Sequence, residues 1–256
     1  REQELQRGEE IAVVAFAYAS DEVLAGEVTS REHVEDLDVW LVEFANGVRL
    51  NVKATDFKDN EIVVRARLAE GGLTLDDADY VTGFVGGAVF NGGGLTAHSE
   101  DDMRRILAGK RVRVGFGMGE ATFPLSGSTT PDDVLLQFEL LCAYLQHPGW
   151  RDEGLNQLRQ QLPLQYDQFA VLTVGPLLME FLPALFDGNE RMRPVPEEAA
   201  AMAVEVEDVR EWLAPHLADG PLEVTVIADI DVDAIVAAAA RTLGRLPDRR
   251  PTERYE

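Results

Sequence analysis

The chain has 256 residues, 46% of them hydrophobic, and a formal net charge of −23. This composition supports a substantial core in one large or two small domains, whereas the acidic balance disfavours nucleic acid and anionic membranes as partners. No apolar run approaches the ~20 residues of a membrane span, and a single cysteine, Cys142, excludes an intrachain disulfide.

The N-terminal residues are expected to lead into the domain rather than to form part of it. Residues 10–20 contain a nearly continuous apolar run and are predicted as one strand. The acidic stretch that follows is typical of a linker. Residues 1–36 are therefore predicted as an inter-domain linker and leading segment.

A hairpin and a further strand follow. Residues 39–44 and 48–53 alternate between apolar and polar side chains, and Asn46-Gly47 lies between them. Asn-Gly between two alternating runs is the strongest short-range hairpin signal, because both residues tolerate the positive φ angles of the turn. Residues 61–68 alternate in the same way and predict a third strand.

Two helices and a strand pair are predicted next. Residues 76–90 are helical by length and apolar content, although three glycines interrupt the run. Ser99 precedes an acidic first turn and predicts the N-cap of a short helix. Residues 112–116 alternate and predict a strand, and residues 122–127 predict the strand that returns beside it.

The rest of the chain is predicted to be mainly helical, with a strand at residues 222–227 and a last helix at residues 231–243. This order of elements predicts an α+β fold, in which helices pack on one face of a mainly antiparallel sheet. The other predicted helices cover residues 130–147, 151–166, 168–186, 196–203 and 206–217.

A family resemblance rests on the order and spacing of seven segments, at residues 44–50, 92–95, 98–99, 107–110, 125–127, 140–148 and 226–231. Together they resemble one unit of the pitrilysin/insulinase family, the inverted-motif zinc metallopeptidases with the LuxS/MPP-like fold. The resemblance covers residues 37–247 and is best to a non-catalytic unit in the second half of a bacterial member. It implies two homologous halves around a chamber, with residues 248–256 as a tail or the start of the next linker.

In an active unit of this family, one helix carries the sequence His-x-x-Glu-His. The two imidazoles and a downstream Glu bind zinc, and the motif Glu is the general base for the zinc-bound water. When Phe90-Asn91-Gly92 is aligned with the family's Phe-x-Gly, the motif falls on residues 83–87. Glycine stands at its three functional positions, which are Gly83, Gly86 and Gly87.

The remaining zinc ligand is also missing from the sequence. No His or Glu occurs from residue 71 to residue 97, and no carboxylate occurs from residue 154 to residue 166, where the downstream ligand is expected. We therefore predict no catalytic residue, no metal ligand and no cofactor in this chain. Zinc is expected in the catalytic half of the parent protein.

Two interpretations of the glycines remain open. Each costs about 1 kcal/mol relative to alanine inside a helix, and close packing of another helix would offset that cost. Alternatively, the small residues leave room for a peptide in the chamber. A peptide would also fit an edge strand by β-augmentation, for which residues 62–68 are one candidate and Val112, Val114 and Phe116 are another.

The sequence thus predicts a non-catalytic structural and substrate-enclosing domain of a zinc-dependent metalloendopeptidase that acts on peptides or proteins. The parent is expected to be a hydrolase, although this chain lacks the catalytic residues. Expected partners are a homologous catalytic half or subunit and a peptide substrate, with no nucleic acid and no membrane span. The alternative is a non-proteolytic interaction or peptide-binding subunit that assembles with a separate catalytic chain. The resemblance favours a bacterial periplasm over the cytoplasm.

Overall fold

A seven-stranded sheet organises the described residues, which are 24–69 and 71–251 of this computed structural model. The strands are β1 (Val28–Val34), β2 (Val39–Phe44), β3 (Arg49–Ala54), β4 (Ile62–Ala69), β5 (Gly115–Phe116), β6 (Thr122–Thr129) and β7 (Leu222–Ala228). They lie across the sheet in the order β1-β2-β3-β7-β4-β6-β5. All neighbours are antiparallel except β3 and β7. The predicted α+β fold with a mainly antiparallel sheet is confirmed.

The helices cover one face of this sheet. Val42, Leu50 and Val64 are buried beneath them, whereas Arg65 and Arg67 on the opposite face are exposed. Since alternate residues of a strand point to opposite faces, this pattern confirms the predicted one-sided arrangement. The helices are α1 (Asp77–Gly93), α2 (Glu100–Ile106), α3 (Val134–Gln146), α4 (Asp152–Val171), α5 (Leu182–Leu185), α6 (Glu198–Ala203), α7 (Val206–Asp219) and α8 (Val232–Arg241).

The predicted Asn-Gly hairpin is confirmed between β2 and β3. Gly47 has a φ of 83°, and the Phe44 N–H donates to the Val48 carbonyl at 3.0 Å. The buried Asn46 amide also reaches the far end of the chain, because its Nδ2 donates to the carbonyls of Leu243 and Leu246, both at 2.9 Å. The turn residue therefore fixes the C-terminal segment as well as the hairpin.

The sheet begins earlier than the sequence predicted. Residues 28–34 fall within the predicted linker, yet they form β1 and pair antiparallel with β2. Nearly all their side chains are exposed, so the segment lacks the alternating apolar signal that would mark a strand. The strand predicted at residues 10–20 lies outside the described residues.

The described residues beyond 247 pack on the domain rather than leaving it as a tail. Arg249 is buried, and its main-chain N–H donates to the Asn46 carbonyl at 2.8 Å. Its guanidinium donates to the Leu217 carbonyl at the end of α7, at 2.7 Å. The Arg250 N–H likewise donates to the Asp219 carbonyl at 2.8 Å, so residues 249 and 250, predicted as part of a tail or the next linker, contact the domain.

The helix predicted at residues 168–186, where Gly175, Pro176 and Pro183 indicate kinks or breaks, is divided in the structure. Helix α4 continues through Pro163 to Val171, and the chain then folds back before a π-helical turn at Leu177–Phe181 and the short α5. A Cβ at Gly175 would lie 1.8 Å from the Phe169 carbonyl oxygen. The reversal therefore depends on a glycine at this position.

None of the helices in the described ranges has both the length and the apolar character needed to cross a bilayer.

Candidate functional site

Helix α1 carries the predicted motif positions and is held by close contacts at both ends. The Asp76 carboxylate accepts a hydrogen bond from the Asp79 N–H at 2.9 Å and caps the first turn. Near the other end, a Cβ at Gly92 would lie 2.6 Å from the Gly154 Cα of α4. This glycine pair lets the two helix backbones approach directly, and residues 154–166, where the downstream zinc ligand was expected from the sequence, belong to α4.

The C-terminal end of α1 is bound by a guanidinium. Arg151, immediately before α4, donates through Nη1 to the carbonyls of Gly93 and Leu95 and through Nη2 to the carbonyl of Thr96. The Gly93 carbonyl at the end of α1 gains a partner in this way, and the Leu95 carbonyl gains a second donor beside the His98 N–H. This contact is not predictable from the sequence, because nothing in the local pattern pairs residue 151 with residues 93–96.

The three glycines at the predicted motif positions have different surroundings. A Cβ at Gly83 would lie 2.8 Å from Met118 Sδ and 2.9 Å from Trp212 Cη2. A Cβ at Gly86 would make an ordinary contact with the Trp212 ring at 3.5 Å, whereas a Cβ at Gly87 would meet nothing within 4 Å. Close packing by Trp212 of α7 and by Met118 therefore accounts for Gly83, whereas a Cβ would be accommodated at Gly86, and open space remains beside Gly87.

Trp212 of α7 belongs to an aromatic group on the sheet. Its ring centroid lies 5.3 Å from that of Phe123 in an edge-on arrangement and 5.5 Å from the imidazole of His216. Phe123 and His216 are themselves 5.5 Å apart. Such edge-on contacts fix ring orientation beyond simple apolar burial. The spacing of Trp212 and His216, one helical turn apart, was the only available sequence signal for this group.

A cleft of about 570 Å³ lies between α1, α2 and α4. Ala88 lines it from α1, and α4 lines it with the carboxylate of Glu153 and the neutral amides of Gln157 and Gln161. Within residues 154–166, where the downstream zinc-binding carboxylate is expected, the polar side chains in the cleft are these two amides. Within the described ranges, no three His, Cys, Asp or Glu side chains come together as a metal site would require. Burial raises the pKa of the Cys142 thiol to about 12, which makes it a structural thiol rather than a nucleophile.

The predicted edge strand forms only in part. β5 contains Gly115 and Phe116 alone, and the main-chain N–H and carbonyl of Phe116 are both bound by the Asn91 amide, at 2.8 and 3.0 Å. The Gln137 side chain binds the N–H and carbonyl of Arg113, at 3.0 and 2.9 Å. Side chains thus replace the strand ladder, which the alternation of residues 112–116 did not reveal.

Two positions on this edge remain open. Within the described part of the chain, no hydrogen bond joins the main-chain groups of Val112 or Val114. A hollow of about 310 Å³ beside them is lined by Val114, Gly115 and Pro124 among others. The alternative candidate at residues 62–68 is wrong as an edge, because β4 lies between β7 and β6.

The known proteins that this chain resembles in sequence and in structure are peptidases. No known family profile matches the sequence. The chloroplastic stromal processing peptidase of Pisum sativum is 21% identical over 235 residues, which are 90% of this chain and 18% of that protein. The chain therefore spans about a fifth of the length of this curated relative.

The solved structures with a similar fold are also proteases or peptidase domains. The ferredoxin protease FusC, in complex with Arabidopsis ferredoxin, matches 93% of this chain and 26% of its own, with a TM-score of 0.74 and 15% identity. The first half of the periplasmic protease PqqL from Escherichia coli matches 85% of this chain and 48% of its own, with a TM-score of 0.66 and 13% identity. An inactive peptidase M16 domain from Pseudomonas fluorescens matches 86% and 53%, with a TM-score of 0.67 and 13% identity.

These neighbours are pitrilysin-like M16 peptidases, and the stromal processing peptidase agrees with them. The predicted resemblance is thus confirmed, and the chain has the fold of an M16 peptidase half-domain.

Proposed function

We propose that this chain is a non-catalytic, substrate-enclosing unit of a zinc-dependent metalloendopeptidase that acts on peptides or proteins. The observation that carries the proposal is the contact between α7 and the motif face of α1. Trp212 lies against Gly83 and Gly86, where an active unit would carry a histidine and the general base. The unit retains the peptidase fold while this face is used for packing.

The chemistry of an active site also needs ligands that converge. Zinc hydrolysis requires about three N or O donors around one ion, with a fourth position open for water. At Gly83 even a methyl group would contact Met118 and Trp212. Residues 154–166 of α4 line the cleft with Gln157 and Gln161, and Glu153 at the start of α4 joins no cluster of three metal-ligating side chains among the described residues. The proposal therefore assigns zinc to the catalytic half of the parent protein and no ligand to this chain.

The lengths of the matched proteins support a multi-unit parent. The chain covers 26% of FusC and 48% of the first half of PqqL, so we infer that residues 37–247 are the core of one unit among several. FusC was captured with a protein, ferredoxin, which supports a peptide or protein substrate. The periplasmic location of PqqL supports the same compartment here.

The proposal is tested on the isolated chain. The purified chain of residues 1–256 is incubated with zinc and then dialysed to remove unbound metal. It is expected to retain less than one zinc per chain and to cleave no unfolded peptide. A mixture that contains a catalytic M16 half serves as the positive control for the assay. One bound zinc per chain, or cleavage that a chelator abolishes, would show that a site outside the predicted motif had been overlooked.

The open edge supports a second candidate, a peptide-binding subunit that works without its own proteolysis. Val112 and Val114 offer main-chain N–H and carbonyl groups to an added strand, and main-chain pairing of this kind gives affinity with little sequence specificity. The oxidised insulin B chain, labelled with fluorescein, is a suitable extended probe. Val114→Pro removes one free N–H and should weaken binding, whereas Val114→Thr keeps that N–H and should not. Equal binding by both variants would exclude this edge.

A further inference from the structure

The reversal after α4 exposes an unusual amount of apolar surface. Among the described residues, sixteen large hydrophobic side chains are exposed, and eight of them fall between residues 164 and 186. We call residues 164–186 the apolar hairpin. Its exposed members are Leu164, Val171, Leu172, Val174, Leu177, Phe181, Leu185 and Phe186.

These side chains form stripes rather than isolated exposures. Leu164 and Val171 are seven residues apart on α4, and Leu177, Phe181 and Leu185 recur at intervals of four along the second arm. Both spacings place side chains on one side of a helical segment. Leu162, by contrast, is buried in the apolar cluster beneath α1. The chain therefore builds a second apolar side that its own core does not use.

The apolar hairpin also contains a hollow. A space of about 380 Å³ lies between its two arms, lined by Tyr166, Phe169, Pro176 and Met179 together with Glu180 and Arg193. Protein interfaces concentrate their binding energy where an aromatic or aliphatic side chain fills such a hollow, and aromatic residues and Met are enriched there. Exposed large apolar side chains concentrated in one segment are typical of an interaction site.

Acidic side chains accompany the apolar ones. Asp167 lies between Leu164 and Val171 on α4, and Glu180 directly precedes Phe181. Both carboxylates are exposed. Within the described ranges, neither carboxylate forms an ion pair. The complementary surface therefore carries apolar anchors with basic residues at its rim, because like charges at a desolvated rim would repel.

We propose that the apolar hairpin is the docking surface for a second M16-type unit, whose contact surface is apolar with a basic rim. This inference rests on the proposed function and names its partner. The matched proteases support an M16-type unit as the partner. This chain covers only 48% of the first half of PqqL and 26% of FusC, so in those proteins a unit of this size is joined to further units.

The test uses site-specific photo-crosslinking in cells that produce the protein with its natural partners. A benzoylphenylalanine replaces Phe181 in one sample and Phe57 in the other. Phe57 is the matched control, since it is also an exposed aromatic residue but lies outside the apolar hairpin. The cross-linked peptides are then sequenced by mass spectrometry.

The expected result is an adduct at position 181, absent at position 57, to a peptide from another M16-type unit. An adduct to residues 1–23 of this chain, to a second copy of it or to an unrelated protein would overturn the proposal, as would no adduct above the Phe57 control. The outcome is independent of zinc content and cleavage by the isolated chain. A failure of docking is therefore distinguishable from a failure of the proposed function.

Discussion

Trp212 of α7 occupies the space that a side chain at Gly83 of α1 would need. The shortest approach to a Cβ at Gly83 would be 2.9 Å from the ring and 2.8 Å from Met118 Sδ. Real Cβ contacts are longer, so a larger residue there must displace a ring that also packs on Phe123 and His216. The position of Trp212 on α7 is therefore compatible with glycine at residue 83 and not with the larger side chain of a zinc-binding motif.

Alanine at two of the glycines should have opposite effects. Gly83→Ala is expected to lower the free energy of unfolding by about 1 kcal/mol or more, because it overpacks the contact with Trp212. Gly87→Ala meets open space and should raise that free energy by about 0.5–1 kcal/mol through helix propensity. Urea unfolding of both variants measures the difference. Equal shifts would mean that Trp212 does not pack on α1 in this way.

Replacement of Asn91 should destabilise the short edge strand. Asn91→Leu leaves the N–H and carbonyl of the buried Phe116 without partners, which should cost about 2 kcal/mol. Asn51→Leu is the control, since that amide has only a 3.5 Å contact with Thr225 and should change stability by less than about 0.5 kcal/mol. Thermal unfolding distinguishes the two, and similar losses would contradict the role of Asn91.

The fork geometry of Arg151 should matter more than its charge. Arg151→Lys retains the charge but cannot reach the carbonyls of Gly93, Leu95 and Thr96 together, so we expect a loss of about 1–3 kcal/mol. Arg210→Lys alters an exposed ion pair with Glu207 and should be nearly neutral, within about 0.5 kcal/mol. Hydrogen exchange of the last turn of α1 locates the effect. Unchanged hydrogen exchange in Arg151→Lys would contradict the role of Arg151 in holding the end of α1.

The stabilising effect of Asp133 should disappear in acid. The hydrogen bond from the Arg111 N–H lowers the pKa of Asp133, and the Lys110 ammonium acts in the same direction against the opposing effect of burial. A lowered folded-state pKa stabilises the fold above the unfolded pKa of about 3.9, and this contribution is lost as the pH falls through the folded value.

Asp133→Asn is therefore expected to lower stability by about 1 kcal/mol at neutral pH, with a smaller difference from the wild type near pH 3. Asp132→Asn, at the exposed neighbouring position, should show no such pH dependence. Unfolding free energies measured from pH 7 to pH 3 provide the check. A difference that persists unchanged at low pH would contradict the assignment to ionised Asp133.

The sequence predicted the elements whose signals are local. The hairpin at Asn46-Gly47 and the Ser99-capped helix α2 follow from turn and cap chemistry, and the structure shows the capping box at Ser99 and Asp102. β1 was missed because an exposed edge strand needs no apolar alternation. The insertion of β7 between β3 and β4 was not predictable either, since it pairs residues 154–174 positions apart.

The candidate site divides in the same way. The glycines at 83, 86 and 87 were visible in the sequence, and they lie on α1 as the alignment placed them. The contact with Trp212 was not predictable, because it depends on how α7 crosses α1. The side chains of Asn91 and Gln137 likewise replace a strand ladder through contacts 24–25 positions apart, which periodicity does not encode.

The most direct test of the account is cleavage of an unfolded peptide by this chain alone, by a homologous catalytic half alone and by the two mixed, with zinc measured in each purified component. We predict no cleavage and no stoichiometric zinc with this chain alone, and higher activity in the mixture than with the catalytic half alone. The increase should be lost when the His-x-x-Glu-His motif of that half is mutated. Cleavage or one bound zinc in this chain alone would contradict the non-catalytic assignment, and an unchanged rate in the mixture would contradict the role of a substrate-enclosing unit.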